Sequence, residues 1–175
     1  VTPAAVNPFC ETYHPVRVAP ALQAPTKELM EGIGKRPVVF GAATGYIVTR
    51  LQALIMNEAA RMIEEGAATA EEIDKATRYG LGLRFAALGV VEFIDFGGCD
   101  ILHHASREMA ASIDPGRYTA PAIVNRMVEE GRLGLKTGSG FYDYAGSDVA
   151  DCRRDVPSRH LRMLKTAGRW PPPAP

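Results

Sequence analysis

The sequence predicts a mainly α fold, a helical bundle preceded by a small βαβ remnant, and two observations carry that expectation. From Tyr46 onward, segment after segment repeats apolar residues at helical spacing, with glycine, proline or a capping residue at the ends. Before that point, prolines at 3, 8, 15, 20 and 25 break any long helix and leave only short β-rich runs. The chain of 175 residues balances 20 basic against 20 acidic side chains. Net charge therefore argues against nucleic acid or an acidic membrane surface as the main partner.

Pro15-Val-Arg-Val-Ala alternates and reads as a short strand. Pro25 to Lys35 reads as a helix with Gly34 near its end, and Arg36-Pro-Val-Val-Phe reads as a second strand. Strand, helix, strand is a βαβ unit. One such unit cannot cover both faces of a parallel sheet, so a sheet remnant is expected rather than a complete domain. The segment from Gly45 to Gly66 then carries apolar residues at 47, 48, 51, 54, 55, 59, 62 and 63, which predicts a long amphipathic helix stopped at Gly66. Thr69-Ala-Glu-Glu is a capping box, and the helix it opens is expected to end at Gly80 or Gly82. Leu83 to Asp95 is apolar enough for a buried helix, interrupted by Gly97-Gly98 and resumed from Asp100 to Ile113. Asp114-Pro-Gly predicts a turn, Pro121 to Gly131 a further amphipathic helix, and residues 132–146 an ordered glycine-rich loop. Ser147 to Gly168 predicts a last helix that Pro157 must end or bend, and Arg169 onward reads as a polyproline-like tail holding Trp170.

Cys10, Cys99 and Cys152 are odd in number, far apart and without CxxC or Cys/His spacing, so they read as reduced thiols of a cytoplasmic protein and no metal site is expected. No apolar run approaches the ~20 residues that span a bilayer. The first fifteen residues lack the basic and apolar regions of a signal peptide. His103 and His104 are adjacent on a predicted helix, about 100° apart, and read as structural rather than as ligands of one ion. Glu92 and Asp95 lie three apart on an apolar helix, where carboxylates either meet a cation or orient neighbouring backbone; the structural role is favoured. Lys136 in a glycine-rich run gives a weak phosphate signal without P-loop order, and this run reads mainly as a packed turn ahead of Phe141 and Tyr142.

Four segments together carry a resemblance. They are Gly45-Tyr-Ile-Val-Thr-Arg-Leu; Glu58-Ala-Ala-Arg with Glu72-Ile-Asp-Lys-Ala and Gly80-Leu-Gly; Leu88-Gly-Val-Val-Glu-Phe-Ile-Asp-Phe-Gly-Gly-Cys-Asp; and Gly134-Leu-Lys-Thr-Gly-Ser-Gly-Phe-Tyr-Asp-Tyr. In this order and spacing, Arg36 to Tyr144 resembles the helical C-terminal half of 3-hydroxyacyl-CoA dehydrogenases, nearest the 3-hydroxybutyryl-CoA type.

The resemblance implies a division into residues 1–41 as the end of a nucleotide-binding domain, 42–146 as a helical substrate and dimerisation domain, and 147–175 as a C-terminal helix and tail. It implies hydride transfer from a 3-hydroxyacyl-CoA to NAD, a histidine that takes the hydroxyl proton, and a glutamate that orients it. It also implies an acyl-CoA-type substrate and a homodimer, with no nucleic-acid or membrane partner. Asn7-Pro8 matches the end of the family's H-x-x-N-P motif, which puts Ala4 at the histidine. Working back from Pro20, the glutamate of the following L-V-E-V strand falls on Arg17, and the substrate-contacting asparagine of I-V-N-R is Thr49. His14 is out of register as a substitute base. The G-x-G-x-x-G turn that holds NAD is not among these residues, so no intact catalytic set and no cofactor site are expected in this chain alone. Three other readings stay open. One is a non-catalytic dimerisation or acyl-CoA-binding module, and another is a truncated frame, suggested by the unusual first 25 residues. The third is a relative acting on sugar acids or other hydroxy acids, suggested by Gly80-Leu-Gly-Leu-Arg-Phe.

Overall fold

The computed structural model describes residues 7–13, 20–40 and 45–168. Its contacts divide the chain into two units, Val1–Ala70 and Glu71–Pro175.

In the first unit, strand β1 (Phe9–Tyr13) pairs in parallel with β2 (Arg36–Phe40), with Glu11 opposite Val38. A 3₁₀ turn (Pro20–Leu22) leads into helix α1 (Gln23–Gly32), which crosses between them. The βαβ expectation holds, with one difference in its parts. The first strand forms over Phe9–Tyr13, between Pro8 and Pro15, where Phe, Thr and Tyr favour the pleated state. The strand expected at 15–19 lies outside the described residues, as does Trp170. Asn7 opens β1: its side-chain oxygen accepts from Phe9 N at 3.0 Å, and its carbonyl accepts from Lys35 Nζ at 2.9 Å. Helix α2 (Ile47–Glu64) follows β2 and stops as expected, with Gly66 at φ +70°. It buries none of its residues, and Leu54 and Met56 are 69% and 68% exposed.

The second unit opens with α3 (Ala70–Ala76), which continues through a π-helical stretch (Thr77–Gly82) into α4 (Leu83–Ala87). Gly80 and Gly82 therefore widen the helix by a π turn instead of stopping it, a feature frequent at functional sites. The chain breaks instead at Leu88, which is extended, and α5 (Val90–Gly97) begins after Gly89. The expected single buried helix over Leu83–Asp95 is thus two helices, and Val90 and Val91 are exposed. Glu92 makes the break: its carboxylate reaches back to Gly89 N at 3.4 Å and caps α5. Helix α6 (Cys99–Ser112) follows, then α7 (Pro115–Tyr118) capped by Asp114, and α8 (Ala122–Glu129). Cys99, Val124 and Met127 form the core between α6 and α8, with Ile94, Leu102, Val128 and Phe141 packed against them.

The last helix, α9 (Val149–Thr166), runs through Pro157 without ending there. An interior proline costs a helix ~3 kcal/mol, and contacts from Arg159 oppose that cost. Its guanidinium donates to Ala87 O at 3.1 Å, the carbonyl end of α4, and to Glu92 Oε1 at 3.2 Å. Its Nε lies 2.9 Å from Asp155 Oδ2, an ion pair whose N–H does not point at the oxygen. Arg159 thereby clasps both sides of the α4–α5 break. Sequence reasoning did not single it out, because its partners lie 67 and 72 residues away.

Candidate functional site

The first candidate region is the opening of α2. Gly45 has φ +78°, and a Cβ there would stand 3.0 Å from Arg50 Cγ. Only glycine makes this reversal without strain. Phe40 and Tyr46 meet edge to face across the turn, with ring centroids 5.4 Å apart. The N-cap residue Tyr46 offers no side-chain cap. That role passes to Glu11, whose Oε1 accepts from Val48 N at 3.0 Å. A carboxylate at a helix N-terminus meets both the unsatisfied N–H groups and the positive end of the helix dipole. Thr49 stands on the same first turn, exposed, and its hydroxyl makes no hydrogen bond among the described residues.

Ala4, His14 and Arg17 lie outside the described residues. The carboxylate that the paired strand does carry is Glu11, at its centre. Sequence reasoning passed over it by seeking the strand beyond Pro15. The run Phe9-Cys10-Glu11-Thr12-Tyr13, bounded by two prolines and dominated by β-formers, was the available signal. Glu11→Ala is expected to cost the first unit about 1 kcal/mol through the lost cap, measured by urea unfolding, and Glu11→Gln less than half of that.

The second region is built on Asp95, which is 0% exposed. Its carboxylate accepts from Phe141 N at 2.9 Å, Tyr142 N at 2.8 Å and the Tyr144 hydroxyl at 3.2 Å. A buried carboxylate is stable only when its oxygens are satisfied, and here the glycine-rich loop supplies the donors. Gly134 and Gly140 press directly on Asp95 and have no room for a Cβ. Burial, then the Asp95 charge, pushes the Tyr144 hydroxyl well above the ordinary phenol range, so it stays a donor. Burial likewise raises the Cys99 thiol. Asp95 and Glu92 are thus structural, as expected, and Asp95 locks residues 141–144 onto α5.

Lys136 donates to both oxygens of Asp100 at 2.6 Å, and that bond holds the Asp100 carboxyl below its usual range. The weak phosphate signal is therefore answered by an internal partner. A lowered carboxyl adds stability above the ordinary carboxylate range and loses it as pH falls through the lowered value. Lys136→Met is expected to lower stability at neutral pH by at most about 1 kcal/mol, a difference that disappears as pH falls below ~4 and so flattens the acid limb, measured by thermal melts across pH. His103 and His104 meet edge to face with centroids 5.3 Å apart, and His103 Nδ1 lies 3.0 Å from Asn125 Oδ1. Among the described residues no group of three or more His, Cys, Asp or Glu could hold a metal. No helix among them is long and apolar enough to cross a membrane. The sequence contains no G-x-G-x-x-G run of the dinucleotide-binding kind.

Residues 45–144 match the family model described as 3-hydroxyacyl-CoA dehydrogenase, C-terminal domain. The chain is 34% identical over 143 residues to a 3-hydroxybutyryl-CoA dehydrogenase of Mycobacterium tuberculosis, covering 81% of this chain and 49% of that protein. It is 30% identical over 156 residues to a fatty acid oxidation complex subunit alpha of a Shewanella strain, covering 89% of this chain and 21% of the relative. Among solved structures it is similar to a 3-hydroxyacyl-CoA dehydrogenase of Archaeoglobus fulgidus, with a TM-score of 0.80 and 27% identity, over 94% of this chain and 56% of the other. The chain thus spans half or less of the length of these curated relatives.

Proposed function

The chain belongs to the 3-hydroxyacyl-CoA dehydrogenase family through that family's C-terminal domain, and we propose that it supplies the substrate-facing and dimer-forming half of an NAD-dependent enzyme acting on 3-hydroxyacyl-CoA, with 3-hydroxybutyryl-CoA as the favoured substrate. The observation that carries this reading is the family match over residues 45–144 together with the intact Asp95 lock inside it. The reading divides the chain at residues 41/42 and 146/147, the first segment being the end of a nucleotide-binding domain. A cytoplasmic setting is supported by three free thiols.

The exposed apolar face of α2, with Ile47, Leu51, Leu54 and Ile55, supports a second copy of the chain as partner. Thr49 takes the place of the substrate-contacting asparagine, with a hydroxyl where an amide donor would stand. By the resemblance Arg17 stands at the glutamate position, and Glu11 is the carboxylate on the described paired strand. With Ala4 at the base position, Glu11 has no imidazole to orient and caps α2 instead. NAD chemistry would come from a nucleotide domain.

Calorimetry with acetoacetyl-CoA and sedimentation of the purified chain test the reading together. Thioester binding and a dimeric mass are expected; a monomer that binds no thioester removes it. A second reading, a non-CoA hydroxy acid as substrate, draws on the π-helical stretch at Gly80–Gly82 and on Arg84, which lies over the Phe93 ring at 5.0 Å. Tighter binding of a free hydroxy acid than of the thioester would favour it.

A further inference from the structure

Helices α6 and α8 and the connection between α7 and α8 flank an open cleft of about 240 Å³ lined by His103, Arg107, Ala110, Thr119, Ala120 and Asn125. His103, Arg107 and Ala110 fall at i, i+4 and i+7 of α6 and so share one face of that helix. Thr119 and Ala120 lie on the connection into α8, and Asn125 lies within that helix. Nothing in the family reading uses this cleft, which lies wholly within the second unit.

Its polar groups are unevenly satisfied. The Thr119 hydroxyl donates to Pro115 O at 2.6 Å. His103 Nδ1 lies 3.0 Å from the Asn125 side-chain oxygen. That contact holds the ring against α8. Arg107, by contrast, makes no ion pair or hydrogen bond among the described residues. No carboxylate lines the cleft to neutralise it. The guanidinium is a forked donor that matches a carboxylate in bidentate fashion. The Ala110 and Ala120 side chains leave a small apolar wall beside these donors.

From the unpaired Arg107 in a carboxylate-free, partly apolar cleft we infer a binding site for a small carboxylate with a short aliphatic tail. Arg107 holds the carboxylate, the alanines take the tail, and the His103–Asn125 pair sets one wall.

The test is a titration of the full chain followed through its histidine ring resonances, with His103→Gln identifying the His103 signal. Sodium butyrate is the probe, and inorganic phosphate is a parallel arm. Butyrate is expected to shift the His103 signal saturably. Arg107→Met is expected to weaken that binding about tenfold, the scale of one charge-assisted bond pair. Arg126→Met, an exposed arginine outside the cleft, is expected to leave it unchanged. The amide spectrum of each variant reports whether the fold is kept. Phosphate binding more tightly than butyrate would overturn the carboxylate assignment. The absence of a saturable shift, or equal affinity in Arg107→Met, would overturn the site.

Discussion

Asp95→Ala is expected to destabilise the second unit by about 4 kcal/mol, the scale seen when one partner of a buried charged network is removed. Three donors lose their acceptor at once: the backbone N–H groups of Phe141 and Tyr142 and the Tyr144 hydroxyl. The residue is fully buried, so water cannot replace the carboxylate without opening the packing. Against a typical domain stability of about 5–15 kcal/mol, this is a large fraction of the total. Asp95→Asn keeps one acceptor oxygen but turns an amide donor toward the remaining N–H groups, so an intermediate loss is expected. Urea unfolding followed by near-ultraviolet circular dichroism checks both, because Phe141, Tyr142 and Tyr144 sit in the affected segment. A loss below about 1 kcal/mol for Asp95→Ala would mean that the loop is held mainly by other contacts.

Gly134→Ala and Gly140→Ala are expected to cost about 3 kcal/mol each, but for different reasons that a double-mutant cycle separates. Gly134 has φ +94°, and a Cβ there overlaps the backbone oxygen and Cα of Asp95. No side-chain movement relieves that overlap. At Gly140 a Cβ overlaps the Asp95 carboxylate instead. Removing the carboxylate opens the space it would occupy. In an Asp95→Ala background, Gly140→Ala should therefore lose at least ~1 kcal/mol of its cost, while Gly134→Ala should remain close to additive. Equal coupling at the two glycines would contradict the packing described around Asp95.

These two predictions concern the part of the fold most legible in the sequence. A carboxylate on an apolar helix and a glycine-rich run before Phe141 each demanded an explanation. The structure joins them, because the glycines admit the loop close enough for its N–H groups to reach Asp95. The pairing itself was not legible, since it spans 46 and 47 residues and no local period encodes it. Helix α2 was legible because a long apolar stripe with glycine at each end has no competing local reading. The break at Leu88 was not. The apolar run is continuous there, and what ends α4 is a tertiary clasp by Arg159 and a reach-back cap by Glu92. Gly80 and Gly82 misled in the opposite sense, because a π turn absorbs them without ending the helix.

The candidate site shows the same division. Gly45 announced the turn into α2, and its φ of +78° bears that out. Glu11 was hidden because proline spacing drew attention to Pro15–Ala19, whereas the described strand that pairs with Arg36–Phe40 is Phe9–Tyr13. The positive charge of Arg107 at a turn's distance from His103 was readable, but its lack of a partner was not, because that depends on which carboxylates the other helices present.

The chain belongs to the 3-hydroxyacyl-CoA dehydrogenase family, and we propose that, with Ala4 at the base position, it turns over no substrate on its own. The most direct measurement is the absorbance of NADH at about 340 nm during incubation of the purified chain with acetoacetyl-CoA, the reverse direction of the hydride transfer. No loss of NADH above the protein-free rate is predicted, and none on raising the protein concentration. A loss of NADH that requires acetoacetyl-CoA and scales with protein would contradict the account, since Ala4 cannot exchange the proton such turnover needs.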